Sequence, residues 1–139
     1  MEPKQIVIDT DVLIELLDTN KPKHLDVLLS LQKLERANAK LLLSVITQME
    51  LIQGSKNKSE VDRLLYQIES FERIELSSAV GEMAFNLILK YSKSHSLKIP
   101  DAIIAADCLL LGIPLFTFNL KHYKFIDGLN LYKLNKSIP

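Results

Sequence analysis

Residues 6–14 read Ile6-Val7-Ile8-Asp9-Thr10-Asp11-Val12-Leu13-Ile14, an apolar run that leads directly into two acidic residues. Three consecutive apolar, mostly β-branched residues are typical of a strand that is buried on both faces. The chain then turns into a helix that begins near Asp11 and continues to Leu17. Asp9 therefore lies at the carboxyl end of the strand, where open α/β sheets bind their ligands. The alternative is that Asp9 or Asp11 only caps the helix.

Strand-like and helix-like segments alternate along the rest of the chain. Further strands are predicted at 41–44, 73–76, 114–118 and 130–134, the last at a sheet edge, and helices at 22–36, 45–53, 59–70, 79–94 and 102–111. Ser44 and Ser77 are placed to cap helices, and Gly54 and Gly112 to end them. This alternation predicts an α/β fold of three layers, α/β/α, with a central, mainly parallel sheet of four to five strands.

Length and composition indicate a single domain over residues 1–139, with 47% hydrophobic and 24% charged residues. The 17 Lys and Arg residues balance the 17 Asp and Glu residues, which excludes a protein that coats nucleic acid through bulk charge. The one cysteine, Cys108, lies in an apolar run and is expected to be a buried hydrophobe. The sequence has neither a signal pattern nor a membrane-length apolar run, so we expect a cytoplasmic protein without a membrane partner.

Polar side chains are expected to meet at the carboxyl edge of the sheet, because right-handed crossovers bring all parallel strand ends there. They are Asp9 after the first strand, the helical stripe Ser44, Thr47 and Glu50 after the second, Asp101 before the fourth, and Asn119 after the fourth. Two alternatives stay open. Glu50 could pair with a lysine or point to solvent. Asp101 could be only an N-terminal carboxylate that interacts favourably with the helix dipole.

Carboxylates that converge at one edge repel one another and stay ionised together when a divalent cation holds them. Oxygen ligands of this kind suit Mg²⁺ or Mn²⁺, which can activate a water and stabilise charge on a phosphodiester. The sequence lacks zinc-type Cys/His spacings, a phosphate-binding glycine loop and a G-x-S-x-G turn. Metal-assisted phosphodiester hydrolysis is therefore the reaction class that these residues favour.

Four short motifs follow one another along almost the whole chain: Ile8 to Ile14, Ser44-x-x-Thr47-x-x-Glu50, Ile99-Pro-Asp-Ala-Ile-Ile-Ala-Ala106, and Thr117-Phe-Asn-Leu-Lys-His-Tyr123. Their order and spacing resemble PIN-domain ribonucleases, especially VapC-type toxins of toxin–antitoxin pairs. The fourth motif of that family is often Thr-x-Asn-x-Lys-x-Phe. Each motif is weak by itself, and the four in order make a strong resemblance.

The resemblance implies a metal-dependent endoribonuclease whose acidic site consists of Asp9, Glu50 and Asp101. Asp9 and Asp101 would bind Mg²⁺ or Mn²⁺ directly, and Glu50 would act through a water or as the base for the attacking water. Neighbouring polar residues would orient these carboxylates, namely Thr10, Asp11, Ser44, Thr47 and Asn119. Many members have a further acid where this chain has Asn119, which weakens the case for a second tightly bound ion. Asp107, six residues after Asp101, is expected to face elsewhere on the helix.

The same resemblance implies an RNA substrate, a homodimer and a small antitoxin protein as partner. Lys121, His122 and Lys124, with Tyr123, could hold an RNA backbone and stack a base. The alternative is a solvated surface with Tyr123 and Phe125 in the core. Apolar residues of the second and fourth helices could form a groove for an antitoxin helix or belong to the core, namely Leu28, Leu29, Leu31, Leu64, Leu65 and Ile68.

Two other functions compete with this interpretation. A PIN-fold module that binds RNA or protein without cleaving is favoured by Asn119. A haloacid-dehalogenase-type phosphatase is favoured by the Asp9-x-Asp11 pair after a strand. That family also needs a later lysine and an acidic motif after a strand, whereas Asp101 opens a helix.

Overall fold

A five-stranded sheet forms the centre of the computed structural model, which describes residues 2–134. The strands are β1 (Gln5–Ile8), β2 (Lys40–Ser44), β3 (Glu72–Ile74), β4 (Leu115–Phe116) and β5 (Leu131–Tyr132). Their order is β3-β2-β1-β4-β5, and each neighbouring pair is parallel. The predicted α/β fold class is therefore confirmed, and β5 lies at an edge as predicted.

Six α-helices and one 3₁₀ turn connect and cover these strands. They are α1 (Thr10–Leu17), α2 (His24–Arg36), α3 (Val45–Gln53), α4 (Lys58–Gln67), α5 (Ser78–His95), α6 (Ile99–Leu111) and the turn Leu120–His122. None of the helices between residues 2 and 134 is both long and apolar enough to cross a membrane.

Helix ends follow the capping signals of the sequence. Ser44 accepts a hydrogen bond from the backbone of Ile46 at 3.2 Å, and Ser77 caps α5 in the same manner. Gly112 ends α6 at a φ of 66°, a left-handed conformation that favours glycine. The helix predicted from residue 22 begins only at His24, after a turn that includes Pro22.

The core consists of two apolar clusters, one on each face of the sheet. Side chains alternate along β1, so that Ile6 and Ile8 pack in the cluster that includes residues of α1 and α2. Val7 packs on the other face, in the cluster that includes residues of α5 and α6. All three side chains have no exposed surface, which confirms the prediction of a strand buried on both faces. Cys108 is likewise buried.

The apolar residues considered for an antitoxin groove divide between core and surface. Leu31, Leu64 and Ile68 are buried in the cluster beside α1 and α2. Leu29 and Leu65 are exposed by 52% and 45%. The alternative of a core position is therefore correct for the first three residues, which pack inside the domain.

Candidate active site

Asp9 directly follows β1 and is almost completely buried, with 4% of its surface exposed. Its Oδ1 accepts a hydrogen bond from the backbone N–H of Thr10 at 2.8 Å, so it does cap α1. Its Oδ2 accepts a hydrogen bond from the hydroxyl of Thr117 at 2.7 Å. Asp9 thus combines both predicted positions, a helix cap and a carboxylate at the carboxyl edge of the sheet.

Asp11 connects α1 to the segment that follows β4. Its two oxygens accept hydrogen bonds from the backbone N–H groups of Val12 at 2.8 Å and Phe118 at 3.0 Å. The Thr117 hydroxyl lies 3.5 Å from Asp11 Oδ1 while it donates to Asp9. The backbone N–H of Asn119 in turn donates to Thr117 Oγ1 at 3.0 Å, whereas the Asn119 side chain is exposed. Asp11 therefore holds in place the segment that carries the partner of Asp9.

Asp101 lies in the first turn of α6 and receives a hydrogen bond from the segment after β4. The Tyr123 hydroxyl donates to Asp101 Oδ1 at 3.1 Å, and His122 Nδ1 lies 3.5 Å from Oδ2. The ring of Tyr123 is 1% exposed, so it is unavailable for stacking on an RNA base. That part of the predicted RNA surface is wrong, and the alternative of a buried Tyr123 is correct.

Glu50 projects from α3 and is linked to α1 through a threonine. The Thr10 hydroxyl donates to Glu50 Oε1 at 2.9 Å and lies 3.1 Å from the hydroxyl of Thr47, which is buried. Glu50 is thus hydrogen-bonded by Thr10, a residue directly next to Asp9. Thr10 thus contacts a carboxylate directly, and the orienting role of Thr10 and Thr47 stays a prediction.

The carboxylates of this site disfavour one another's ionisation. Burial raises the pKa of Asp9 to about 7, and the charges of Asp11 and Asp101 add to the effect, while hydrogen bonds from Thr117 and Thr10 oppose it. Burial also raises the pKa of Asp11. The pKa of the Tyr123 phenol is raised by burial and by the charges of Asp9 and Asp101, so it stays a hydrogen-bond donor.

The structure brings Asp9 and Asp101 into one polar cluster with Tyr123, and places Glu50 beyond Thr10. Within residues 2–134, no three His, Cys, Asp or Glu side chains converge as a metal-binding group. A site made of fewer protein ligands fits Mg²⁺ and Mn²⁺, because Mg²⁺ is usually held by one or two carboxylates and several waters. The pair Asp9 and Asp101 suits such an ion: both are oxygen donors, and Asp9 is buried near like charges without a cationic hydrogen-bond partner.

Asp107, which was expected to face elsewhere on α6 than Asp101, is turned into the protein. It is 1% exposed, and in the described part of the chain neither oxygen has a hydrogen-bond partner. The buried hydroxyl of Ser44, at the start of α3, lies near the Asp107 carboxyl. It does not have the geometry of a hydrogen bond to either oxygen. Burial raises the pKa of Asp107 to about 6. The sequence did carry a signal, since α6 is apolar around most of its circumference.

The hydrogen bonds of two residues, Thr117 and Tyr123, were not predicted from the sequence. Both belong to the fourth motif, but their importance depends on contacts across the sheet edge with Asp9 and Asp101. The hydroxyl of Tyr123 stands where the related motif often has phenylalanine. Among the predicted basic residues, Lys121 and His122 line a cavity with Asp101, and Lys124 is exposed.

Comparisons with known proteins agree with this fold. The model of the PIN domain family matches residues 6–127. A toxin–antitoxin complex from Klebsiella pneumoniae is 29% identical, with a TM-score of 0.69 over 89% of this chain and 94% of that chain. DNA-bound VapBC from Salmonella typhimurium is 21% identical, with a TM-score of 0.73 over 95% and 98%.

A third structure, the sarcin–ricin loop cleaving toxin VapC20 from Mycobacterium tuberculosis, is 15% identical, with a TM-score of 0.61 over 82% of this chain and 89% of that chain. At this level of identity, as for the Salmonella structure, the likeness shows the fold. No curated protein matches the chain.

Proposed function

Because this chain belongs to the PIN domain family, we propose that it is a metal-dependent endoribonuclease and the toxin of a toxin–antitoxin pair. The observation that carries the proposal is the buried Asp9 carboxylate at the carboxyl end of β1, in one polar cluster with Asp101. The structural relatives support it, since one is described as a toxin–antitoxin complex and another as a toxin that cleaves the sarcin–ricin loop. The match over residues 6–127 gives no support to the phosphatase alternative.

Asp9 and Asp101 are the proposed ligands of Mg²⁺ or Mn²⁺. When bound, such an ion polarises the phosphodiester and stabilises the negative charge that develops on it. Thr117 and Tyr123 each donate a hydrogen bond to one of the two carboxylates. These donors orient the carboxylates and offset part of their mutual repulsion.

Glu50 is the proposed general base. The Thr10 hydroxyl holds Glu50 at Oε1, so that the side chain keeps a fixed position next to the residue that follows β1. In this role Glu50 takes the proton of the water that attacks phosphorus, while the bond from phosphorus to the leaving ribose oxygen breaks and that oxygen takes a proton from solvent. Asp11 fixes the loop that carries Thr117, and Ser44 starts the helix that carries Glu50.

The proposal includes the partners that the family resemblance implies. RNA is the substrate, a small antitoxin protein is the inhibitor, and the toxin forms a homodimer in the cytoplasm. The structural relatives support an antitoxin partner, because several are toxin–antitoxin complexes.

Cleavage of total RNA by the purified protein tests the proposal. We expect defined fragments with Mg²⁺ or Mn²⁺ and none with EDTA, because phosphodiester hydrolysis here depends on the ion. An Asp101→Asn variant, purified in parallel, separates the activity of this chain from that of a contaminating nuclease. Cleavage that survives both EDTA and the substitution would contradict the proposal. RNA binding without cleavage would support the non-cleaving module instead.

Tyr123→Phe is expected to lower kcat/KM for RNA about 10-fold, since it removes one hydrogen bond to a proposed ligand and keeps the buried ring. Calorimetric titration should show weaker Mn²⁺ binding in the same variant, a readout that does not depend on catalysis. Tyr91→Phe is the matched control, because Tyr91 is also buried but its hydroxyl contacts the backbone of Asp127. If both variants bind Mn²⁺ with equal affinity, Tyr123 does not position Asp101 for the ion.

A further inference from the structure

A cavity of about 340 Å³ lies beside Asp101 and has no role in the mechanism above. Its walls come from two parts of the chain, residues 95–98 from the end of α5 to the start of α6, and the 3₁₀ turn at Lys121 and His122. This volume is at the lower end of the range for small-molecule pockets, about 300–1,000 Å³. The cavity therefore has space for a ligand of roughly one nucleotide next to the proposed metal ligand.

The charge of the cavity suits an anion. Lys98 and Lys121 line the cavity from two different parts of the chain, and both side chains are exposed to solvent. His95 and His122 add ring nitrogens, and Asp101 is the acidic member of the lining. In a chain with a formal net charge of +0, this is a local concentration of positive charge beside the site of the proposed reaction.

The imidazole of His95 is held in a fixed orientation at the cavity wall. It stacks on Phe125 with ring centroids 4.3 Å apart and an angle of 14° between the planes. Tyr91 contacts it edge-on at 5.7 Å, and the Ser94 hydroxyl lies 2.7 Å from its Nδ1. His95 is nonetheless exposed and lines the cavity. A fixed and accessible aromatic ring is a surface on which a nucleobase can stack.

We propose that this cavity binds one nucleotide of single-stranded RNA, with its base on His95 and its phosphate at Lys98 and Lys121. The inference rests on the proposed function, because it places this nucleotide next to the phosphodiester that is cleaved. It adds the segment 95–98 to the RNA-binding surface, which the sequence had assigned only to Lys121, His122 and Lys124. An aromatic wall and two lysines match the two parts of a nucleotide, a planar base and an anionic phosphate.

Nuclear magnetic resonance of the full-length protein in EDTA tests the cavity without catalysis. We expect uridine 5′-monophosphate to shift the backbone amide signals of residues 95–98 and 121–122. Uridine and inorganic phosphate, tested separately, should each produce smaller shifts at the same concentration. The inference is overturned if these amides do not respond to the nucleotide, or if phosphate alone reproduces its whole effect.

Binding of an RNA oligomer in EDTA, which withholds the ion that cleavage needs, measures the contribution of each wall. We expect about 10-fold weaker binding for Lys98→Gln with Lys121→Gln, together with a shallower salt dependence. His95→Ala should weaken binding about 5-fold or more, and His95→Phe should restore it, since base stacking needs only an aromatic face. Lys93→Gln with Lys56→Gln is the matched control, because both lysines are exposed and outside the cavity.

The outcomes separate this inference from the proposed function. If the protein cleaves RNA and the cavity variants behave like the control, the nucleotide site is wrong and the nuclease function stands. If uridine 5′-monophosphate binds at residues 95–98 but RNA is never cleaved, the cavity is upheld and the nuclease function is rejected.

Discussion

Asp9→Asn is expected to lower kcat/KM for RNA cleavage more than about 100-fold, since metal assistance supplies several kcal/mol of transition-state stabilisation. The amide has nearly the shape of the carboxylate but lacks its charge. It can still accept a hydrogen bond from Thr10 or Thr117, so the fold around it should persist. Single-turnover cleavage of a defined RNA measures the loss, and calorimetric titration with Mn²⁺ should show weaker binding in the same variant.

The same substitution should make the metal-free protein more stable, so activity and stability change in opposite directions. Folding raises the pKa of Asp9 from its ordinary 3.8 to about 7. The ionised carboxylate therefore destabilises the folded state above pH 7, and this penalty disappears as the pH falls below 4. We expect Asp9→Asn to raise the free energy of unfolding at pH 8 by roughly 2–4 kcal/mol. The increase in the free energy of unfolding should be much smaller at pH 5.

Urea denaturation in EDTA at pH 8 and pH 5 measures this change. Asp26→Asn is the matched control, because Asp26 is an exposed aspartate in the first turn of α2. If Asp9→Asn destabilises the metal-free protein at pH 8, burial and like charges do not destabilise the ionised carboxylate. The expectation that a cation binds at this site then loses its main support.

Local signals in the sequence predicted the elements that position the site. Three apolar residues before Asp9 predicted the strand β1, because a strand that is buried on both faces does not alternate apolar and polar residues. The helix 45–53 agrees with α3 at both ends, since Ser44 caps it and Gly54 ends it. The meeting of Asp9 and Asp101 followed from the parallel topology, which brings strand ends together at one edge.

Contacts between distant segments could not be predicted in this way. Tyr123 was placed either in the core or on an RNA surface, but its ring is buried while its hydroxyl reaches a carboxylate on another helix. Thr117 and Asp9 are 108 residues apart in the chain. Helix periodicity predicted that Asp107 and Asp101 face different sides of α6. It could not show that the side of α6 with Asp107 is also buried. Which side chain partners which depends on packing, which a single sequence does not specify.

Asp107→Asn is expected to raise the free energy of unfolding by about 3 kcal/mol at pH 8, because folding raises the pKa of this buried carboxyl from 3.8 to about 6. Its ionised form destabilises the folded state, fully above pH 6 and not at all below 4. The gain should therefore vanish at pH 4. Urea denaturation across this pH range measures it, with Asp26→Asn as the exposed control.

This second substitution separates two opposing effects on Asp107. Burial without a hydrogen bond disfavours the charge, whereas the nearby start of α3, marked by Ser44, favours a negative charge through the helix dipole. Burial outweighs the opposing effect of the nearby Ser44 hydroxyl, so the pKa of Asp107 is raised. If Asp107→Asn instead lowered stability at pH 8, the dipole would be the larger effect. The buried carboxylate would then be an anion that stabilises the helix carrying Glu50.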